Sequence, residues 1–254
     1  MKLATALLSV PRPEGYVHQT IGSLGETGFF DRPENLPLRL VTGTKDTDHL
    51  EPYRKDSVRF LIDPVSEDEA REIGLDALGV KPRCAFGHYR AMRHLLAAED
   101  SWDVALVCED DVRFCRGWID YLARIVEEIE RELGFPWLLT LYRVSHAWQR
   151  SMKEEVEKGA RWFRFPQLDE FWGTQAIVYS KGALRMIPEA LLEGCIRRFV
   201  VPVDLTIGRR ASERNVVKLA SVPCLVQHMG DKTTGQSEWF HQADYFVDSV
   251  AQGP

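Results

Sequence analysis

The feature that most constrains this chain is Val104-Ala105-Leu106-Val107-Cys108, an unbroken apolar run that passes without a spacer into Glu109-Asp110-Asp111. A short continuous apolar run reads as a strand buried on both faces, which places it near the middle of a layered α/β sheet. Open α/β sheets bind ligands beyond the carboxyl ends of such strands. Three adjacent carboxylates repel one another unless something positive neutralises them, and a bound cation does so. Mg²⁺ and Mn²⁺ favour oxygen ligands and are held by one or two carboxylates together with substrate phosphates, so the triplet suits a metal-diphosphate site. The competing reading is a solvated acidic turn leading into the next helix.

The flanking segments repeat the α/β alternation. Leu3 to Val10 reads as a buried strand that stops at Pro11-Arg12-Pro13, followed by a weak helix from Glu14 to Thr27. Leu38 to Val41 and Val58 to Ile62 are short strands. Between Pro82 and Ala98, the residues Ala85, Phe86, Tyr89, Met92, Leu95 and Leu96 recur at helical steps, and a second amphipathic helix runs from Trp118 to Leu133. Strands follow at Trp137 to Tyr142, Arg161 to Phe165 and Trp172 to Tyr179, with Ser180 capping a helix that runs to Leu191. The polar, weakly periodic stretch from His146 to Gly159 reads as a surface insertion or lid on a single domain spanning residues 1–254.

Composition narrows the partners. A net charge of -6 over 254 residues leaves no broad positive field to collect a polyanion, although Arg197, Arg198, Arg209, Arg210 and Arg214 form a local basic group. No apolar run approaches the roughly 20 residues of a membrane span, and the amino terminus lacks a signal-peptide pattern, so a cytoplasmic protein is expected. The five cysteines are odd in number and form no CxxC pair, so they read as small buried residues in a reducing compartment.

Several blocks carry a family resemblance. Cys84-Ala85-Phe86-Gly87-His88-Tyr89, then Val104-Ala105-Leu106-Val107-Cys108-Glu109-Asp110-Asp111-Val112, then Gly173-Thr174-Gln175-Ala176-Ile177-Val178-Tyr179-Ser180-Lys181-Gly182-Ala183 and Pro202-Val203-Asp204 resemble, in order and spacing, the blocks of glycosyltransferase family 25. Val222-Pro223-Cys224-Leu225-Val226-Gln227-His228-Met229-Gly230 resembles a segment of the branching N-acetylglucosaminyltransferases, as does the opening Leu8-Ser9-Val10-Pro11-Arg12. The matches span most of the chain.

The resemblance implies an α/β protein of the GT-A fold, a mixed central sheet flanked by helices that binds a nucleotide sugar through Mn²⁺ or Mg²⁺. It implies metal ligation by Asp111, Glu109 and His228, with Asp110 facing the sugar or ribose. Ser9, Pro11 and Arg12 stand where the base and ribose are received, with Thr42, Gly43 and Thr44 on the same edge. His88 and Arg90 read either as reaching the diphosphate or sugar or as capping or surface residues, Trp172 either as stacking on a sugar beside Gly173 or as a packed aromatic at a strand start, and Lys232, Thr233 and Thr234 as donors to the diphosphate if His228 is at the site. Inverting transfer needs a base for the acceptor hydroxyl, and Asp204 matches it, with Asp169 and Glu170 as competitors. Asp204 also reads as a plain helix-start residue.

The expected activity is therefore transfer of a hexosyl or N-acetylhexosaminyl group from a UDP-sugar, with inversion. The acceptor is a glycan, a lipid-linked saccharide, a protein or a small molecule, and nucleic acid is a minority reading. Two rivals stay open: a metal-dependent nucleotidyltransferase, and a noncatalytic nucleotide-sugar or carbohydrate-binding protein.

Overall fold

The computed structural model describes residues 1–143, 154–165, 171, 173–197, 202–230, 242–243 and 245–250, without the side chains of residues 195 and 197. In chain order, β1 (Leu3–Ser9), β2 (Leu38–Thr42), β3 (Phe60–Asp63) and β4 (Val104–Glu109) form a parallel block ordered β3-β2-β1-β4. The sheet continues through β8 (Ala176–Tyr179), β6 (Trp137–Thr140), β9 (Val217–Ser221) and β7 (Trp162–Arg164). β8 runs antiparallel to both β4 and β6, which makes the eight-stranded sheet mixed, as expected. A separate antiparallel ladder joins β5 (Val112–Phe114) to β10 (Val226–His228).

Alternation along the strands builds a core on each face of the sheet. In β4, Val104, Leu106 and Cys108 join one cluster while Ala105 and Val107 join the other. The first face is covered by α1 (Tyr16–Glu26) and α4 (Trp118–Glu132), which bury Val17, Ile21, Ile119, Leu122, Ile125 and Ile129. Each such aliphatic side chain contributes about 1.5–3 kcal/mol when removed from water. The second face is covered by α3 (Val80–Leu96), which buries Phe86, Met92 and Leu95.

Elements read from periodicity recur with ends moved by a few residues. Hydrogen bonding across the sheet trims the strand expected from Trp172 to Ala176–Tyr179. The helix capped by Ser180, whose hydroxyl accepts from the Ala183 N–H, divides into α5 (Lys181–Met186) and α6 (Pro188–Leu191), because Pro188 brings no N–H to continue the ladder. A π-helical turn at Leu192–Arg197 precedes α7 (Val203–Glu213). The short helix α2 (Glu67–Ile73) and strands β5, β9 and β10 were not expected. In the proposed lid, residues 146–153 lie outside the described residues, and residues 154–157 form a helical turn. No helix of the described residues is long and apolar enough to cross a membrane.

Candidate functional site

The three carboxylates leave the end of β4 in three directions. Glu109 pairs backbone N–H to the Gln175 carbonyl at 2.9 Å, and its Oε1 accepts from the Thr174 hydroxyl and lies 3.5 Å from His88 Nε2. Asp110 turns toward the end of β1: its Oδ2 accepts from the Val10 N–H at 3.0 Å and the Ser9 hydroxyl at 3.4 Å. Asp111 turns toward the carboxyl-terminal strand, with Oδ2 at 3.3 Å from His228 Nε2. Arg12 spans the two aspartates, at 3.0 Å from Asp110 Oδ1 and 2.8 Å from Asp111 Oδ2.

The turn is held from beneath by Thr20 of α1. Its hydroxyl oxygen lies 2.7 Å from the carbonyl oxygens of both Asp110 and Val112 and accepts the Val112 N–H at 3.1 Å. The Met229 N–H donates to the Asp111 carbonyl at 2.7 Å, continuing the β5–β10 ladder in which His228 faces Val112. Gly230 completes this corner: a Cβ there would stand 2.9 Å from Asp111 Oδ2 and 3.0 Å from His228 Nε2, so a side chain would press on both.

Neighbouring aspartates are driven apart electrostatically. Burial, reinforced by the charges of Asp111 and Glu109 and opposed by Arg12 and the Val10 N–H, pushes Asp110 up to about 7. Burial acts on Asp111 in the same sense, but contact with His228 and then Arg12 outweighs it and holds this carboxyl below its usual range. The Arg12 guanidinium loses solvation, yet the two aspartates raise it further. One buried oxygen of the cluster has no partner among the described residues. Asp111 Oδ1 is buried and accepts no hydrogen bond among the described residues, which is costly for an ionised carboxylate and suits a hard cation. A buried carboxylate oxygen without a partner is a donor that Mn²⁺ or Mg²⁺ accepts, and the imidazole of His228 stands against the other oxygen, Oδ2.

A cavity of about 260 Å³ opens beside the turn, between the ends of β1, β2 and β4 and the start of α3. Ser9, Pro11, Arg12, Gly43, Thr44, Cys84, Glu109 and Asp110 all line it, so seven of the sequence-selected residues converge there, together with Cys84. Gly43 permits the close approach of α3: a Cβ there would lie 2.3 Å from the Arg83 carbonyl oxygen. The Ser9 hydroxyl also bonds His49 Nε2 at 2.8 Å, a partner that sequence alone did not suggest. Burial lowers the His49 imidazole, favouring its neutral form.

Asp204 lies in the first turn of α7, where its Oδ1 accepts the Leu205 N–H at 2.9 Å and its Oδ2 stands 3.5 Å from the Gly173 N–H. Burial raises its pKa, these two N–H groups oppose the rise, and Glu109 adds to it. Arg90 is not at the site: its guanidinium bonds the Glu69 carboxylate and the carbonyls of Thr42, Asp63 and Pro64, tying α3 to the ends of β2 and β3. Of the basic group Arg197, Arg198, Arg209, Arg210 and Arg214, Arg210 is engaged by Glu213 and the Met186 carbonyl, while Arg198 and the side chain of Arg197 lie outside the described residues. Asp169, Glu170, Trp172, Lys232, Thr233 and Thr234 lie outside the described residues.

No protein-family model matches the chain, and no curated protein matches it either. Among solved structures, mouse xyloside xylosyltransferase 1 in its apo form superposes with a TM-score of 0.49 at 10% identity, covering 85% of this chain and 83% of that one. The galactosyltransferase LgtC, solved with donor and acceptor sugar analogues, superposes with a TM-score of 0.46 at 11% identity, covering 86% and 73% respectively.

Proposed function

We propose that the chain is a metal-dependent glycosyltransferase of the GT-A type, which moves a hexosyl or N-acetylhexosaminyl group from a UDP-sugar to an acceptor hydroxyl with inversion. The observation that carries this reading is Asp111 at the end of the central strand, whose Oδ1 is buried and unsatisfied among the described residues while its Oδ2 lies 3.3 Å from His228, one residue beyond the Glu109 and Asp110 that line the cavity. Asp111 and His228 would hold the divalent cation, with Glu109 as the further carboxylate. Such a cation neutralises the charge that builds on the departing diphosphate.

The residues around the cavity divide the remaining work. Ser9, Pro11 and Thr44 receive the base and ribose. Arg12, placed against Asp110 and Asp111 at the cavity edge, would present its guanidinium to the anionic diphosphate. Asp110, titrating near neutrality, holds the amino-terminal loop through Val10 and Ser9 and faces the ribose or sugar. Asp204 takes the proton of the acceptor hydroxyl as that oxygen attacks the anomeric carbon. Its raised pKa suits a base, because a carboxylate too acidic is a poor proton acceptor. The acceptor is a glycan, lipid-linked saccharide, protein or small molecule.

The test is a thermal-shift series with UDP-, GDP-, CMP- and dTDP-sugars, each with and without Mn²⁺, because ligand that binds only the folded state raises its apparent stability. A metal-dependent shift with UDP-sugars sustains the proposal. No shift with any donor in folded protein overturns it, and release of pyrophosphate from a nucleoside triphosphate would make the chain a nucleotidyltransferase instead.

A further inference from the structure

A second group of donors lies on the other side of Glu109. Cys84 and His88 stand four residues apart on α3, one helical turn, so both side chains leave the same face. Ligand atoms of Cys84, His88 and Glu109 all lie within 4.8 Å of one another. His88 is fully buried, and neither of its ring nitrogens has a hydrogen-bond partner among the described residues. A buried imidazole left in that condition is costly. The 3.5 Å between His88 Nε2 and Glu109 Oε1 does not make a hydrogen bond here, but it is close to the roughly 3.3 Å that separates two ligands on a tetrahedral Zn²⁺ with bonds near 2.0–2.1 Å.

We infer that Cys84, His88 and Glu109 form a second cation site that takes Zn²⁺ or a similar thiolate- and imidazole-binding divalent ion, distinct from the Asp111–His228 pair. The donor chemistry separates the two. A thiolate with an imidazole selects Zn²⁺ over the hard ions, whereas Asp111 and His228 offer no sulfur. Because Cys84 and Glu109 both line the cavity, the three protein ligands leave a fourth position open to water or to an oxygen of whatever fills that cavity. Binding of Zn²⁺ here does not depend on the donor-site reading. Its consequence does: Glu109 engaged by Zn²⁺ is withdrawn from the nucleotide-sugar site.

Co²⁺ in place of Zn²⁺ provides the test, using the full chain under reducing conditions and without any nucleotide. The expected result is a thiolate-to-cobalt charge-transfer band with intense tetrahedral visible bands, displaced by Zn²⁺. Cys84→Ser should abolish the charge-transfer band and lower Zn²⁺ affinity by about 100-fold or more, at or beyond the upper end of the roughly 10- to 100-fold cost of losing an outer-shell partner. His88→Gln should lower it similarly, circular dichroism confirming that each variant is folded. Asp111→Asn should leave the band in place even where Mn²⁺-dependent donor binding is lost, so the two sites fail separately. Absence of the thiolate band in the wild-type protein, or its persistence in folded Cys84→Ser, overturns the inference.

Discussion

The two halves of the sheet build the site by different means. On the parallel half, Ser9, Arg12, Thr44 and the acidic turn all follow strands that run the same way, so each strand end delivers its residues to one edge. Across β4 the direction reverses at β8, and the remaining groups arrive by non-local routes. His228 comes through the β5–β10 ladder, while Gly173 and Asp204 meet where the approach to β8 touches the start of α7. The parallel half is a buried, ion-paired cradle suited to binding. The other half brings a half-buried carboxylate with a raised pKa, suited to proton transfer.

If that division is functional, the largest effect belongs to Asp204→Asn. Turnover should fall by about 10²- to 10⁴-fold while Mn²⁺-dependent donor affinity is kept, because a base acts in the transition state and not in donor binding. Equal loss of both quantities in steady-state and binding assays would erase the distinction between the halves. The wild-type acid limb should lie above the ordinary carboxylate value of about 4 and vanish in this variant. For stability the sign is the reverse. Asp204 prefers its protonated form in the fold, so its contribution is present below the unfolded pKa and lost as pH rises through the raised folded one.

Next in size is Arg12→Ala, which strips the guanidinium from two buried aspartates and should cost about 3 kcal/mol of stability in denaturant titrations. Saturating Mn²⁺ should restore part of that loss, whereas a loss unaffected by metal would separate Arg12 from the cation site. Asp111→Asn should weaken Mn²⁺-dependent donor binding by roughly 30-fold, about 2 kcal/mol, in a thermal-shift or calorimetric titration. An unchanged metal dependence would remove Asp111 from ligation. The smallest change is expected for Gly230→Ala, whose Cβ would press on Asp111 and His228: about fivefold weaker metal binding, near 1 kcal/mol, with donor-independent stability little altered.

Much of the parallel half was legible beforehand. The apolar run ending in Glu109-Asp110-Asp111 identified a central strand and its ligand-binding end, and periodicity located α3 and α4 within two residues of their observed limits. Short elements were not legible. β5, β9 and β10 are three to five residues long, too short for a period to show, and they become strands only because a partner supplies the hydrogen bonds. Cys84 was read as a small buried residue because no CxxC pair marked it. The four-residue step to His88 was a signal present in the sequence, yet its meaning depended on Glu109 arriving opposite.

What the sequence by itself determined is therefore local: which segments are apolar, which are amphipathic, where prolines and glycines end them, and that three carboxylates follow a buried strand. Those properties depend on backbone geometry and on water, both of which act residue by residue. Tertiary structure alone decided how the carboxylates are shared out, Glu109 toward α3, Asp110 toward β1 and Asp111 toward His228. The reason is electrostatic. Three like charges in so little space can be buried only if each finds its own donor, and those donors come from segments far apart in the chain.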